Sequence, residues 1–390
     1  MQKKKIIYEN FEYKINKPLQ KKLLKHLNSN ELFLKYPLLK SLCSNYKYDV
    51  TKTNLKKLKK YKSYNLIGMG GSILGAQAIY DFLNKKIKKK FTFYNNLQSD
   101  NKFSHKGKKL NIIISKSGNT LETFANLNLI LSHQKRNDNL IITEKKISNL
   151  NKLAIKLKAE VIEHKNYIGG RYSVLSEVGM IPAELMGLKE KKFKRFNYLI
   201  KNKFFIKFLV NNVLCIYKNI KQGKRNSVIL NYDESSNNFL EWYKQLTAES
   251  LGKSNKGLFP IISTMPKDNH SLLQLYLDGY KDNFFTFFST INLKSFNFSN
   301  SYLIDSFKNL KNKNIDNVIN AQKKATQNIF KRKKIPFRCF DLLVKNEETM
   351  GELFCFFILE TLLLGKLLKV NPLDQPSVEL IKRETKRILK

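Results

Sequence analysis

Short apolar runs alternate with longer amphipathic stretches along most of the chain. In the first half, the apolar runs predict strands over residues 64–67, 110–114 and 139–143, and the amphipathic stretches predict helices over 71–83 and 121–131. Strands that alternate with helices form βαβ units on a parallel sheet. The pattern therefore predicts an α/β protein with doubly wound parallel sheets.

The same alternation returns in the second half, after a basic stretch that is predicted to be weakly structured. Strands are predicted over 227–231 and 284–290, a helix over 236–249 lies between them, and C-terminal helices follow from residue 349. A chain of 390 residues is too long for one ordinary core. We expect three parts: an N-terminal helical segment over 1–45, a first domain over 46–195, and a second domain with C-terminal helices over 196–390.

Cysteine usage and hydropathy limit the protein class. The four cysteines lie far apart, without a CxxC pair or a nearby histidine, so neither a disulfide framework nor a zinc site is predicted. The most apolar stretch, residues 353–368, is interrupted by Glu360 and Lys366, which favours a buried helix over a membrane span. No apolar run of signal-peptide length stands at the N-terminus. We therefore expect a cytoplasmic protein without a membrane partner.

Net charge is the most unusual property of the composition. Lysine and arginine total 72 against 31 acidic residues, a formal charge of +41. A clustered basic face would indicate a nucleic-acid partner. The basic runs at 84–90 and 331–334 are short, separated and free of interleaved aromatic residues, which favours compositional drift instead. We expect no nucleic-acid partner, although the excess charge would speed the arrival of a small anion.

Two polar turns follow neighbouring predicted strands and are suited to binding an anion. The first, GMGGSILG, contributes Gly71 and Ser72, and the second, SKSGNTLET, contributes a lysine and three hydroxyls: Ser115, Lys116, Ser117 and Thr120. Ligands of open parallel sheets bind beyond the carboxyl ends of the strands, and helix amide groups there favour anions. Helix capping is the alternative role, but it would explain only one or two of these residues.

Nucleotide fingerprints are absent from both glycine-containing segments. A dinucleotide GxGxxG motif would need glycine at Ile73, and a nucleotide P-loop around ESLGKS would need glycine at Thr247. These two mismatches argue against NAD and ATP. A phosphate monoester carried by a small molecule fits the two turns better.

Five motifs in order, the first of which consists of two turns, resemble the glucose-6-phosphate isomerase family, whose domains are of the sugar-isomerase type with a flavodoxin-like plan. YNLIGMGGS and SKSGNTLET resemble its phosphosugar-binding turns, and NYIGGRYSVLSEVG (166–179) resembles its first signature. AESLGKS (248–254), KDNHS (267–271) and NPLDQPSVELIK (371–382) are similar to its remaining active-site segments. The resemblance covers most of the chain, and five motifs in family order are highly specific.

The resemblance implies a role for each matching residue in an aldose–ketose isomerisation. Glu249 corresponds to the base that moves a proton between adjacent carbons, and Arg171 to the cation that stabilises the enediolate. His270 and Lys382 correspond to the groups that assist ring opening, and Gln375 to a glutamine near the phosphate. Taken singly, each residue could equally be an ordinary surface or ion-pairing side chain.

The resemblance also implies a homodimer with shared active sites, a sugar phosphate as substrate, and neither a metal nor an organic cofactor. Two departures from the family pattern are Leu373, where an aromatic residue is common, and Ser377, where glycine is usual; we expect the Ser377 hydroxyl to cap the last helix. Alternatives that remain are another phosphosugar isomerase, for example one that also acts on mannose 6-phosphate, and a non-catalytic sugar-phosphate-binding protein.

Overall fold

A computed structural model describes residues 4–27, 31–99, 107–134, 137–291 and 295–389 of the chain. The strands are β1 (Ile6–Glu9), β2 (Ser63–Ile67), β3 (Lys90–Tyr94), β4 (Leu110–Ile114), β5 (Asp138–Thr143), β6 (Glu160–Glu163), β7 (Asn226–Asn231), β8 (Phe259–Thr264), β9 (Asn283–Thr290) and β10 (Phe337–Leu342). The helices are α1 (Lys17–Leu27), α2 (Glu31–Lys35), α3 (Lys52–Leu58), α4 (Leu74–Phe82), α5 (Leu121–His133), α6 (Asn149–Leu157), α7 (Glu177–Leu185), α8 (Phe196–Leu199), α9 (Lys203–Lys221), α10 (Asn237–Leu251), α11 (Leu273–Asp278), α12 (Ile315–Arg332), α13 (Glu347–Leu368) and α14 (Val378–Ile388).

The first sheet is fully parallel and has the order β3-β2-β4-β5-β6. Counted within this sheet the order is 2-1-3-4-5, the flavodoxin-like arrangement, and its switch point lies between β2 and β4. Every residue of β4 is buried, because helices cover both faces of the sheet. The predicted doubly wound α/β class is confirmed here.

The second sheet has the order β1-β10-β9-β7-β8. Strands β7 to β10 are parallel and repeat the 2-1-3-4 order of the first sheet, whereas β1 pairs antiparallel with β10 in the fifth position. The sequence predicts that residues 1–45 are helical. They contain the helices α1 and α2, but they also contain the strand β1, which the sequence does not predict. The N-terminal segment thus supplies the edge of a sheet whose other strands lie more than 200 residues later.

A buried helix joins the two halves of the core. Helix α13 covers most of the apolar stretch 353–368, which confirms the prediction of a buried helix, and α10 packs between α13 and α4. Inside this core, Arg338 of β10 forms an ion pair with Glu360 of α13, and both side chains are fully buried. In the described ranges no helix is long and apolar enough to span a membrane.

The basic stretch near residues 189–203 is more ordered than the sequence predicts. It contains a 3-10 turn over Glu190–Phe193 and the short helix α8, and Phe193 is completely buried. A Cβ atom at Gly351 would lie 2.2 Å from the Phe193 carbonyl oxygen, so this turn packs directly against α13. Lys191 and Lys192 are exposed, whereas Lys194 is buried and its Nζ donates to the carbonyl oxygens of Ser41 and Leu175.

Candidate active site

Two polar turns meet at the switch point of the first sheet. The glycine-containing turn follows β2, the SKSGNT turn follows β4, and these strands are hydrogen-bonded neighbours. In the second turn, the Ser115 and Thr120 hydroxyl oxygens are 2.9 Å apart, and the Gly118 amide donates to Ser115 Oγ at 3.2 Å. Thr120 is the N-cap residue of α5 but makes no side-chain capping bond. Helix capping therefore does not account for the Thr120 hydroxyl.

The other residues of the predicted anion site differ in exposure. Ser72 is buried in the first turn, whereas Ser117 is exposed, and its hydroxyl accepts from the Asn119 amide at 3.2 Å. Lys116 Nζ donates to the Asn166 carbonyl at 2.8 Å and lies 3.6 Å from a Glu144 carboxylate oxygen. The lysine thereby connects the SKSGNT turn to the segment that carries the arginine of the first signature.

The first turn also touches that segment through a glycine. A Cβ atom at Gly71 would lie 2.1 Å from the Gly170 carbonyl carbon, so only glycine permits the two backbones to approach this closely. Gly170 begins a 3-10 turn over Gly170–Leu175, which carries Arg171. This turn lies beside the crevice between the two polar turns, beyond the carboxyl ends of β2 and β4. The first polar turn and the Arg171 turn are therefore in direct backbone contact.

Arg171 is almost completely buried, at 2% exposure, and uses its whole guanidinium group. Its NH1 group donates to Glu249 Oε1 at 3.0 Å and to Gln375 Oε1 at 2.6 Å, and its Nε donates to Ser250 Oγ at 2.7 Å. Its NH2 group donates to the carbonyl oxygens of Pro372 and Asp374 at 2.7 and 3.1 Å. One guanidinium therefore brings together the last turn of α10 and the segment before α14.

Glu249 lies in the last turn of α10 with about a fifth of its side chain exposed. Its second oxygen, Oε2, accepts from Gln245 Nε2 at 3.0 Å. A Cβ atom at Gly70 would lie 2.7 Å from that same nitrogen, so Gln245 connects the carboxylate to the glycine turn. The carboxylate is partly exposed, and each of its oxygens is oriented by a donor.

His270 and Lys382 stand apart from this cluster. His270 is exposed at the end of the 3-10 turn Lys267–His270, and Lys382 is exposed on α14, where its Nζ donates to Glu379 at 2.6 Å. Among the described residues, no hydrogen bond or ion pair joins either side chain to Arg171, Glu249 or Gln375. The structure thus assembles the predicted residues of three segments and leaves these two at the surface.

The proposed cap at Ser377 is wrong. Ser377 is the N-cap residue of α14, but its backbone is already helical and its hydroxyl makes no capping bond. A capping side chain needs an extended backbone at this position to reach the helix amides. The replacement of glycine by serine therefore has no capping role in this structure.

Four further residues of the site receive no role from the motif comparison, although three of them lie within the matched segments. Gln245 and Ser250 orient Glu249 and Arg171, while the Tyr172 hydroxyl bonds both Ser250 Oγ and the Pro372 carbonyl, and the Asn166 carbonyl holds Lys116. Gln245 lies one helical turn before Glu249, on the same face, and that spacing is a signal visible in the sequence. The other three contacts join residues that are distant in the chain.

Burial controls the ionisation of two groups at the site. Burial lowers the pKa of the Lys116 ammonium, an effect that the nearby Glu144 carboxylate opposes and the Arg171 charge reinforces. Burial raises the pKa of the Tyr172 phenol to about 12, so this hydroxyl keeps its proton and acts as a donor. Within the described ranges, no three His, Cys, Asp or Glu side chains are grouped closely enough to hold a metal ion.

Comparison with known proteins places these features in a family. The phosphoglucose isomerase family model matches residues 39–258. The chain is 34% identical to the glucose-6-phosphate isomerase of Methanocaldococcus jannaschii, with 88% of each chain covered, and 30% identical to that of Campylobacter jejuni, with 84% of this chain and 85% of that one covered.

Solved structures share the fold at lower identity. A hypothetical protein from Thermus thermophilus is 22% identical with a TM-score of 0.79, covering 95% of this chain and 94% of that one. A glucose-6-phosphate isomerase from Chlamydia trachomatis is 17% identical with a TM-score of 0.71, covering 98% and 80%. By the family model and by relatives that match over most of their length, this chain belongs to the phosphoglucose isomerase family.

Proposed function

We propose that this chain catalyses the reversible conversion of glucose 6-phosphate and fructose 6-phosphate, a step of glycolysis and gluconeogenesis. Family membership and the names of its relatives support this reaction. The reaction is an aldose–ketose isomerisation in which a proton moves between C2 and C1 of the open-chain sugar through an enediol intermediate. It requires a base, a group that stabilises the developing oxyanion, and a site that binds the phosphate.

The phosphate occupies the crevice at the switch point of the first sheet in this proposal. The hydroxyls of Ser72, Ser115, Ser117 and Thr120, the Gly71 amide and Lys116 Nζ are the candidate donors, with Gln375 at the crevice edge. Charge-assisted bonds from hydroxyls and amides to an anion are about twice as strong as neutral ones. This grip fixes one end of the sugar and leaves C1 and C2 close to α10.

Glu249 is the proposed base. It removes the proton from C2 of glucose 6-phosphate, and the C1 carbonyl oxygen becomes the enediolate oxygen. The hydroxyl proton on O2 then passes to O1, and the same carboxyl group returns its proton to C1 as the C2 carbonyl of the ketose forms. Arg171 stabilises the negative oxygen while its charge develops. His270 and Lys382 are proposed to open the sugar ring beforehand, and both side chains must approach the crevice to do so.

One observation carries the proposal. Arg171 contacts Glu249 and Gln375 within 3.0 Å while its own turn lies against Gly71. A buried guanidinium is costly unless it is fully paired, and here its partners come from two other motif segments, 248–254 and 371–382. Capping or surface ion pairing would not require this convergence beside two hydroxyl-rich turns.

A coupled assay on fructose 6-phosphate, run with Glu249→Gln, tests the proposal. The Gln side chain can still accept from Arg171, so the fold should persist while turnover falls roughly 10²- to 10⁴-fold, the usual contribution of general acid–base catalysis. Glu241→Gln is the matched control, because Glu241 lies on the same helix in an exposed pair with Lys244 and should keep native turnover. An inactive native chain, or a Glu249→Gln variant with most of its turnover, would refute the assignment.

We further propose that the protein is a cytoplasmic homodimer in which His270 reaches the site of the other copy. His270 is exposed, and among the described residues no hydrogen bond or ion pair joins it to Arg171, Glu249 or Gln375, which supports this arrangement. Sedimentation equilibrium should give twice the chain mass of 45.7 kDa. A monomeric mass together with full activity would contradict the shared site.

A further inference from the structure

Lys253 lies just beyond the end of α10, four residues after Glu249, and has no role in the proposed chemistry. Its side chain is only 14% exposed. Nζ donates to the Ser250 carbonyl at 2.9 Å and to the Asn371 carbonyl, and it lies 3.1 Å from Asp374 Oδ1. A lysine that bonds the last carbonyls of a helix also interacts favourably with the helix dipole.

The acceptors of Lys253 flank the acceptors of Arg171. Lys253 holds Asn371 and Asp374, while Arg171 donates to the Pro372 and Asp374 carbonyls and to Gln375 Oε1. The five-residue segment 371–375 is thus clamped by one cation on each side. Burial would raise the pKa of the Asp374 carboxyl, but bonds from Lys253 and Asn371 outweigh burial and lower it, so Asp374 is ionised at neutral pH.

We propose that Lys253 is a positioning residue: it fixes the segment 371–375 against the end of α10, and the segment in turn holds the Arg171 guanidinium beside Glu249. This inference rests on the proposed role of Arg171 in stabilising the enediolate. Without the ammonium, the Asn371 carbonyl and the Asp374 carboxylate lose their link to α10. The segment can then shift, and the guanidinium shifts with it.

The effect should appear in turnover more than in substrate affinity. An interaction that is strongest in the transition state alters kcat, whereas uniform binding alters KM. Arg171 meets a full negative oxygen only in the enediolate, and the phosphate is held elsewhere, in the crevice at the first sheet. A displaced guanidinium should therefore lower kcat and leave KM nearly unchanged.

Lys256 provides a matched control within the same loop. Its Nζ donates to the Leu368 carbonyl at 3.0 Å, at the end of α13, and among the described residues it has no hydrogen bond to the segment 371–375 or to Arg171. Lys256 and Lys253 belong to the same loop, and each bonds a carbonyl at the end of a helix. Removing it tests the loop without touching the segment that holds Arg171.

The first experiment compares Lys253→Met, Lys253→Arg and Lys256→Met in the full chain on fructose 6-phosphate. We expect kcat to fall roughly 10- to 100-fold in Lys253→Met, in keeping with the cost of a misplaced catalytic group, with KM within about 2-fold of the native value. Lys253→Arg should recover most of kcat, and Lys256→Met should keep it. Equal loss in Lys253→Met and Lys256→Met, or a change in KM alone, would overturn the proposal.

The second experiment is a double-mutant cycle with Arg171→Lys. If Lys253 acts through Arg171, Lys253→Met should have little further effect on kcat once Arg171 is replaced, whereas independent effects would multiply. Multiplying effects would overturn the inference and leave the proposed function intact. An Arg171→Lys variant with native kcat would instead overturn the proposed function. If Lys253→Met does not fold, the same cycle is run with Lys253→Arg. Any loss of kcat that Lys253→Arg causes in the native chain must then disappear in the Arg171→Lys background.

Discussion

The crevice between β2 and β4 and the crevice between β7 and β9 occupy the same position in two sheets of the same strand order. Both lie at the carboxyl ends of the strands and contain hydroxyls and a lysine. In the first, Lys116 donates to a backbone carbonyl, and the Ser115 and Thr120 hydroxyls bond each other. At least one hydroxyl hydrogen therefore remains for an incoming phosphate.

The second crevice contains its own anion. Asp233 accepts from Lys345 Nζ at 2.7 Å, from Thr290 Oγ1 at 2.6 Å and from Ser236 Oγ at 2.8 Å, and its other oxygen accepts from Ser235 at 2.8 Å. Burial would raise the pKa of the Asp233 carboxyl, but Lys345 and the hydroxyls outweigh burial and lower it. The donors that could bind a phosphate are already satisfied by a carboxylate.

The two crevices have the same place in the fold and differ in their acceptors, because only the second contains a buried carboxylate that bonds the lysine and the hydroxyls. Strand order places both sets of polar residues at a switch point, which is where open α/β sheets bind ligands. An internal carboxylate converts one of them into part of the protein core. Function in this family therefore follows from the residues at the site and not from the sheet that carries them.

Asp233→Ala should have the largest effect of the substitutions that test this comparison, and the effect is on the free energy of unfolding. It leaves Lys345 charged and buried without its partner, which typically costs about 3–5 kcal/mol of unfolding free energy. Urea unfolding measures this loss. Asp305→Ala is the control, because its exposed pair with Lys308 should be worth at most about 1 kcal/mol. Similar losses in both variants would contradict the structural role of Asp233.

Thr120→Val should have a smaller effect in free energy, and this effect should appear in the KM for the sugar phosphate. Loss of a hydrogen bond to a charged group costs about 1.5–3 kcal/mol, so KM should rise roughly 10- to 100-fold if the phosphate lies in the first crevice. Thr290→Val removes the corresponding hydroxyl from the second crevice. It should lower stability and leave KM unchanged, and an equal rise of KM in both variants would refute the assignment of the phosphate.

Inorganic phosphate should recover part of the stability that Asp233→Ala loses, which is the smallest expected effect. Lys345 and three hydroxyls would surround the vacated position, and phosphate at ten times its Kd would contribute about 1.4 kcal/mol. Thermal unfolding with and without phosphate measures this gain beyond that of the native chain. The double variant Asp233→Ala, Lys345→Met should lack it. A gain in both would place the phosphate elsewhere.

The sequence predicts the central strands of each sheet well and the edge strands poorly. The prediction for residues 110–114 coincides with β4, because a strand covered on both faces is a continuous apolar run. The edge strands β3, β6 and β8 are only partly buried and lack that signal. The strand β10 is central but contains Arg338, whose buried partner Glu360 lies on a later helix. Pairing across such distances leaves no local pattern.

Prediction of the site follows the same division. Motif residues such as Glu249, Arg171 and Gln375 stand in recognisable segments, and the structure brings their side chains together. The contacts of Lys253 and Tyr172 depend on which carbonyls of residues 371 and 372 lie nearby, and backbone acceptors carry no sequence signature. A motif therefore identifies the proposed catalytic residues more easily than it identifies the residues that hold them in place.

The antiparallel strand β1 has a consequence for synthesis of the chain. Ile6 pairs with Leu342, so the ribosome must add the 336 residues from position 7 to position 342 before the edge of the second sheet can close. At about 5–20 residues per second the ribosome needs roughly 20–70 s for that length. The first sheet, complete by Glu163, can form while the N-terminal strand is still unpaired. The second sheet can therefore close only when β10 pairs with a strand that was synthesised long before it.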